Sequence, residues 1–132
     1  MCIYPAITIN LSKEYFFAKD WDRIDYFSGI SNFFPMKYYI ILLKYMKPIE
    51  EIDRLLAEHR NYLDSGYQKG ILLMSGPLEP REGGVLVAKS SGLEEIREFC
   101  HQDPFYLNGC TDYHFIEFHP VKHREELKAW IG

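Results

Sequence analysis

The run Lys37-Tyr38-Tyr39-Ile40-Ile41-Leu42-Leu43-Lys44 is unbroken in apolar character and built from β-branched and aromatic types, which predicts a strand. A helical period follows it. Pro48 suits a first helical turn, where its missing N–H costs nothing, and Glu50 and Glu51 complement the dipole there. Ile52, Leu55, Leu56 and Leu63 lie at spacings of three, four and seven from His59, so they share its face. Glu50, Glu51, Asp53, Arg54 and Glu58 fill the remaining surface. The helix is expected to reach about Lys69, with Gly70 as its stop. Gly66 costs about 1 kcal/mol relative to Ala and marks a possible break.

Farther on, Ile71 to Ser75 predicts a second strand, Pro77 to Gly84 a loop, and Val85 to Lys89 a third strand. Ser90 or Ser91 is the expected cap of a helix through about His101, and Asp103-Pro104 that of a short one. Tyr113 to His119 is the last strand, and Arg124 to Trp130 a terminal helix. This β-α-β-β-α-β order is the α+β, ferredoxin-like arrangement, an antiparallel sheet with helices on one face. Such a sheet should alternate apolar and polar positions. The first strand does not: Tyr39, Ile41 and Leu43 share one face, and Tyr38, Ile40 and Leu42 the other. A second copy packed sheet to sheet, giving a homodimer, is the economical cover.

The competing cover is residues 1–35, rich in aromatics (Tyr15, Phe16, Phe17, Trp21, Tyr26, Phe27, Phe33, Phe34) without clear periodicity. Two readings of this segment stay open. Met36 is the true initiator, or the segment is an arm that docks on the domain formed by 36–132, since so many exposed aromatics would be a liability.

The predicted helix stripe holds one titratable group, His59, and a buried lone imidazole is costly without a partner. Eleven residues after it stands Gly70, then Ile71-Leu72-Leu73-Met74-Ser75-Gly76-Pro77, and much later Asp103-Pro104-Phe105. This combination resembles the YCII (YciI-like) family of small ferredoxin-like proteins of the dimeric α+β barrel type, relatives by fold of muconolactone isomerase. The resemblance spans roughly residues 36 to 120. It implies a His–Asp pair in a cleft, carried here onto His59 and Asp103, and settles architecture better than substrate. Ser75, Gly76, Pro77, Phe105 and Tyr62 are the candidate walls of that cleft.

Each residue also has a plainer role. A lone His on an apolar helix face is ordinarily a core residue bonded to a carbonyl, and Asp before Pro is a favoured N-cap. Capping and pairing are compatible, because one carboxylate oxygen can serve each. Of Tyr39, Tyr62 and Tyr113, one is a candidate to bring a hydroxyl to the cleft.

At 132 residues the chain suits one domain with a real core, and 47% hydrophobic with 16% aromatic residues excludes a disordered chain. A net charge of −4 with no basic run argues against nucleic acid as a partner. Cys2, Cys100 and Cys110 are odd in number and lack a CxxC pair, so free thiols in a reducing compartment are expected. No stretch approaches the roughly 20 apolar residues of a membrane span, and the N-terminus lacks a secretory pattern, so the expected location is cytoplasmic. His119 and His123 suggest a metal, but Pro120 interrupts any helix joining them and no Cys stands at ligand spacing; neither metal nor cofactor is expected.

Two functions remain. One, implied by the family resemblance and its isomerase-like relatives, is a cofactor-independent enzyme that moves a proton on a small cyclic or carboxylated molecule, by isomerisation or elimination. The residues themselves supply the candidate base, since a neutral imidazole held in one tautomer by a carboxylate suits that work. The other is a non-catalytic dimeric module that binds a small ligand or a protein, since fold does not fix function.

Overall fold

The computed structural model describes residues 35–132; residues 1–34, and with them both readings of the aromatic leader, lie outside the described residues. Strand β1 (Lys37–Tyr45) is central, flanked by β3 (Gly83–Ser90) and β4 (Thr111–Phe118), both antiparallel to it. β2 (Leu72–Pro77) pairs antiparallel with the outer side of β3, giving the order β2-β3-β1-β4. Helix α1 (Ile49–Gln68) connects β1 to β2. Helices α2 (Leu93–His101) and α3 (Pro104–Leu107) connect β3 to β4. This is the expected α+β, ferredoxin-like topology: two βαβ crossovers interleaved in one antiparallel sheet.

Period-2 alternation decides which side of β1 enters the core. Tyr39, Ile41 and Leu43 are buried, opposite Ala88, Leu86 and Gly84 of β3. They meet Ile52, Leu55 and Leu63 of α1 and Ile96, Phe99 and Cys100 of α2 in one cluster. The buried positions of α1 are Ile52, Leu55, His59, Leu63 and Gly66, separated by three or four residues, which is the stripe read from sequence.

Gly66 does not break α1. A Cβ there would lie 2.6 Å from Phe99 Cζ and 2.9 Å from Leu72 Cδ1, so the missing side chain lets α1 approach both α2 and β2. Gly70 adopts φ +77°, the left-handed conformation that ends a helix cheaply. Neither Ser90 nor Ser91 caps α2. Gly92 is its N-cap, while the backbone N–H and hydroxyl of Ser91 both donate to Glu95 Oε1, at 2.8 and 2.7 Å.

The terminal helix is shorter than expected: a 3-10 turn at Glu125–Leu127 precedes α4 (Lys128–Ile131). It anchors by Trp130, whose ring meets Tyr38 edge-on at 5.8 Å and whose Nε1–H donates to the Gly70 carbonyl at 3.2 Å. The Tyr38 hydroxyl donates to the Ile131 carbonyl. The chain thus covers one corner of the sheet's second face, a cover the sequence did not suggest. Ile116 and Phe118 on that face stay 40% and 39% exposed.

Candidate active site

His59 sits in the middle of α1, on its buried stripe. Asp103 enters from the second crossover, in the turn between α2 and α3. Its extended backbone (φ −64°, ψ 132°) and the following Pro104 start α3, and its Oδ1 accepts the Phe105 N–H at 2.9 Å. The same carboxylate reaches His59: Nδ1 lies 2.9 Å from Oδ1 and 2.8 Å from Oδ2. The Tyr113 hydroxyl, from β4, donates to Oδ2.

Three donors from three elements therefore converge on a carboxylate that is 1% exposed. Such burial is tolerable only when the anion's lone pairs are met, and here they are. Burial, followed by the Asp103 charge, pushes the Tyr113 hydroxyl far above the usual tyrosine range, so it stays protonated and a donor. Because a carboxylate only accepts, Nδ1 of His59 carries a proton in this pair. Phe105 completes the clamp, its ring stacked on the imidazole with centroids 4.0 Å apart and planes within 10°.

What remains is Nε2, which bonds to none of the described residues. Among those residues Thr111 Oγ1 alone is a fully buried side-chain polar atom without a partner, so Nε2 retains access. His59 lines a cavity of about 450 Å³ between α1 and the β2–β3 hairpin. Leu43, Leu56, Leu63 and Leu86 line it together with Ser75, Gly76, Pro77 and Phe105, all four of the latter candidate wall residues.

Tyr62, the fifth candidate, does not line the cavity. It faces α2, where its ring stacks on Phe99 and its hydroxyl donates to the Phe99 carbonyl at 2.7 Å. Burial and the nearby Asp103 charge push it up to about 12. Tyr113 is the tyrosine that brings its hydroxyl to the pair.

Two arginines absent from the sequence reading also line the cavity, Arg60 and Arg81. Arg60 follows His59 on α1 but lies about 100° around the helix from it, so the apolar stripe hides its relevance. Arg81 belongs to a Pro- and Glu-rich turn that reads as loop chemistry. No pattern in the sequence alone links it to His59.

No group of three His, Cys, Asp or Glu side chains among the described residues is arranged to hold a metal. Cys100 and Cys110 are buried free thiols, and burial, then the Asp103 charge, pushes Cys100 up, which disfavours a nucleophilic thiolate. No helix among the described residues is long and apolar enough to cross a membrane.

No curated protein matches the chain. Among solved structures, it is similar to 5-chloro-2-hydroxyhydroquinone dehydrochlorinase from Burkholderia phenoliruptrix, determined in complex with 2,5-dihydroxybenzoquinone. The TM-score is 0.50 at 19% identity, covering 67% of this chain and 97% of the other, a likeness of fold. Residues 36–119 match the model of the YCII-related domain, which is well over half of the sequence, and the chain belongs to that family.

Proposed function

We propose that the chain is a cofactor-independent enzyme of the isomerase or lyase type, with His59 as the proton-transfer group and Asp103 as its positioning partner. The observation that carries this reading is the division of the imidazole. Nδ1 is held by a buried carboxylate, while Nε2 is unbonded among the described residues and keeps access, and His59 lines a cavity of small-molecule size. A histidine serving the core alone needs no open second nitrogen.

In the proposed reaction Nε2 takes a proton from a substrate carbon, and Asp103 stabilises the imidazolium that forms. Return of that proton to a neighbouring position gives isomerisation. Departure of a leaving group from the adjacent carbon, with its bonding electrons, gives elimination. Positioned acid–base groups contribute on the order of 10²–10⁴-fold to such steps. That a dehydrochlorinase has this fold supports including elimination, and the quinone ring in its complex supports small hydroxylated rings as first probes.

The homodimer belongs to the same proposal. Ile40 and Leu42 are half-buried and Ile116 and Phe118 remain substantially exposed, an apolar face suited to a second copy. A second reading, a non-catalytic binding module, is favoured by the absence of any Asp or Glu among the described residues that line the cavity, since none of these offers a carboxylate as a second acid or base.

Deuterium incorporation separates the two. Hydroxyhydroquinones and small keto acids would be incubated with the protein in D2O and their C–H positions followed by proton NMR. Exchange that the wild type catalyses and His59→Gln loses about a hundredfold or more supports the enzyme. Binding without exchange across the series leaves the binding module.

A further inference from the structure

The charge on the cavity wall opposes that of the chain. The chain carries a formal −4, yet among the described residues the permanently charged groups lining the cavity are Arg60 and Arg81; Asp53, which pairs with Arg81, is not itself part of the lining. Asp103 lies behind the imidazole, where His59, Tyr113 and the Phe105 N–H occupy it. A concave site walled by one sign of charge on a low-dielectric floor concentrates ions of the other sign.

Arg81 is already held in place. Its Nη2 donates to Asp53 Oδ1 at 2.7 Å and its guanidinium lies 6.0 Å from the centroid of the Tyr45 ring. These contacts use only part of a five-donor guanidinium, leaving N–H groups for a ligand. Arg60 forms no ion pair with a carboxylate among the described residues, and its planar guanidinium suits bidentate recognition of one. The opposite requirement comes from Leu43, Leu56, Leu86 and Phe105, which offer apolar surface rather than further polar partners.

We propose that the cavity takes an organic anion. A ring or short carbon framework would rest on the leucines and Phe105, and a carboxylate or equally acidic oxygen would bind Arg60 and Arg81. This deepens the enzymatic reading, because anchoring the anion at the guanidiniums presents a neighbouring carbon to Nε2 of His59. Arg60 and Arg81 are then substrate-anchoring residues that set specificity.

Binding distinguishes this proposal from the catalytic one. Benzoate, cyclohexanecarboxylate and salicylate, each beside its carboxamide, would be titrated into the full chain while the ring protons of His59 are followed by NMR. At least one carboxylate should bind roughly ten- to a hundredfold more tightly than its amide, the preference expected of charge-assisted hydrogen bonds. The preference should shrink as salt is raised. In Arg60→Met it should weaken, and in the Arg60→Met/Arg81→Met double variant it should vanish while the melting curve stays cooperative. If the double variant fails to fold, Arg60→Met with Arg81→Lys replaces it, and the preference should fall at least about fivefold. Equal affinities for acid and amide, absence of binding for all six probes, or a preference that survives the arginine changes would overturn the proposal. His59→Gln keeps both arginines, so it should retain the preference for the acid even if the catalytic role fails.

Discussion

Replacing Asp103 tests the site without knowledge of a substrate. In Asp103→Ala the Phe105 N–H loses its cap, worth about 1 kcal/mol, and the His59 Nδ1–H and Tyr113 hydroxyl lose a buried charged acceptor. A stranded buried donor costs about 1–3 kcal/mol. The effects share one carboxylate and do not add fully, so the expected loss is roughly 3–5 kcal/mol, as when a buried charge pair is broken. That is a large part of the stability of a domain this size, and the melting temperature should drop by on the order of 15 °C. Asp103→Asn keeps one carbonyl oxygen for the cap and should lose only about 1–2 kcal/mol. Its amide N–H₂ faces donors, however, and can meet the imidazole only by turning Nδ1 into an acceptor. Nε2 then carries the proton, and the proposed base is lost. Urea denaturation followed by circular dichroism reads the stabilities, and the ring nitrogen chemical shifts of His59 read the tautomer. A double-mutant cycle with Tyr113→Phe should show a coupling of at least about 1 kcal/mol. An alanine variant within about 1 kcal/mol of wild type, or an asparagine variant as damaged as alanine, would refute this account of Asp103.

Gly66→Ala should destabilise the protein by about 1–2 kcal/mol although alanine is the better helix former, because its methyl would meet Phe99 and Leu72; thermal melts check this. Tyr39 is raised to about 12 by burial and the nearby Glu117, and Tyr62 to about 12 by burial and the Asp103 charge. In the unfolded chain they ionise near 10, so their contribution is complete below that pH and lost as pH rises toward 12. Denaturant midpoints measured from pH 9 upward should therefore fall steadily above about pH 10. Ile116→Lys, on the open sheet face, should leave the fold intact and halve the mass seen by light scattering if that face joins two copies. A wild type that scatters as a monomer would remove the proposed dimer.

The elements were legible wherever one period dominated. The stripe of α1, the β-branched run of β1 and the Gly70 stop each follow from a local rule, and the sheet order follows from the number and sequence of elements. Gly66 was misread as a possible break because propensity was visible while the neighbouring Phe99 and Leu72, distant in sequence, were not. The serines before α2 looked like caps, but Ser91 is occupied by Glu95 and the cap falls on Gly92. At the site, His59 stood out as the lone titratable group in an apolar stripe, whereas Asp103 was tied to it only by the family resemblance, since by itself it reads as an N-cap. Tyr62 was misplaced since its position on α1 does not tell which neighbour its ring meets. Arg60 and Arg81 were missed because exposed arginines carry no periodic signal, and only the folded hairpin brings Arg81 to the cavity.

The two halves of the imidazole–carboxylate pair lie 44 residues apart, one on each crossover of the sheet. Closing that loop has an entropic cost that local helix or hairpin formation does not share. A chain with α1 formed and docked, but with the second crossover still loose, has a histidine without an acceptor and Tyr113 without its anion. The Nδ1 proton of His59 should therefore become protected from exchange only when both crossovers have closed, later than the amides of α1. In a refolding experiment that proton is a single-atom clock for completion of the fold. Assembly of the proposed site and the topological completion of the domain are, in this chain, the same event.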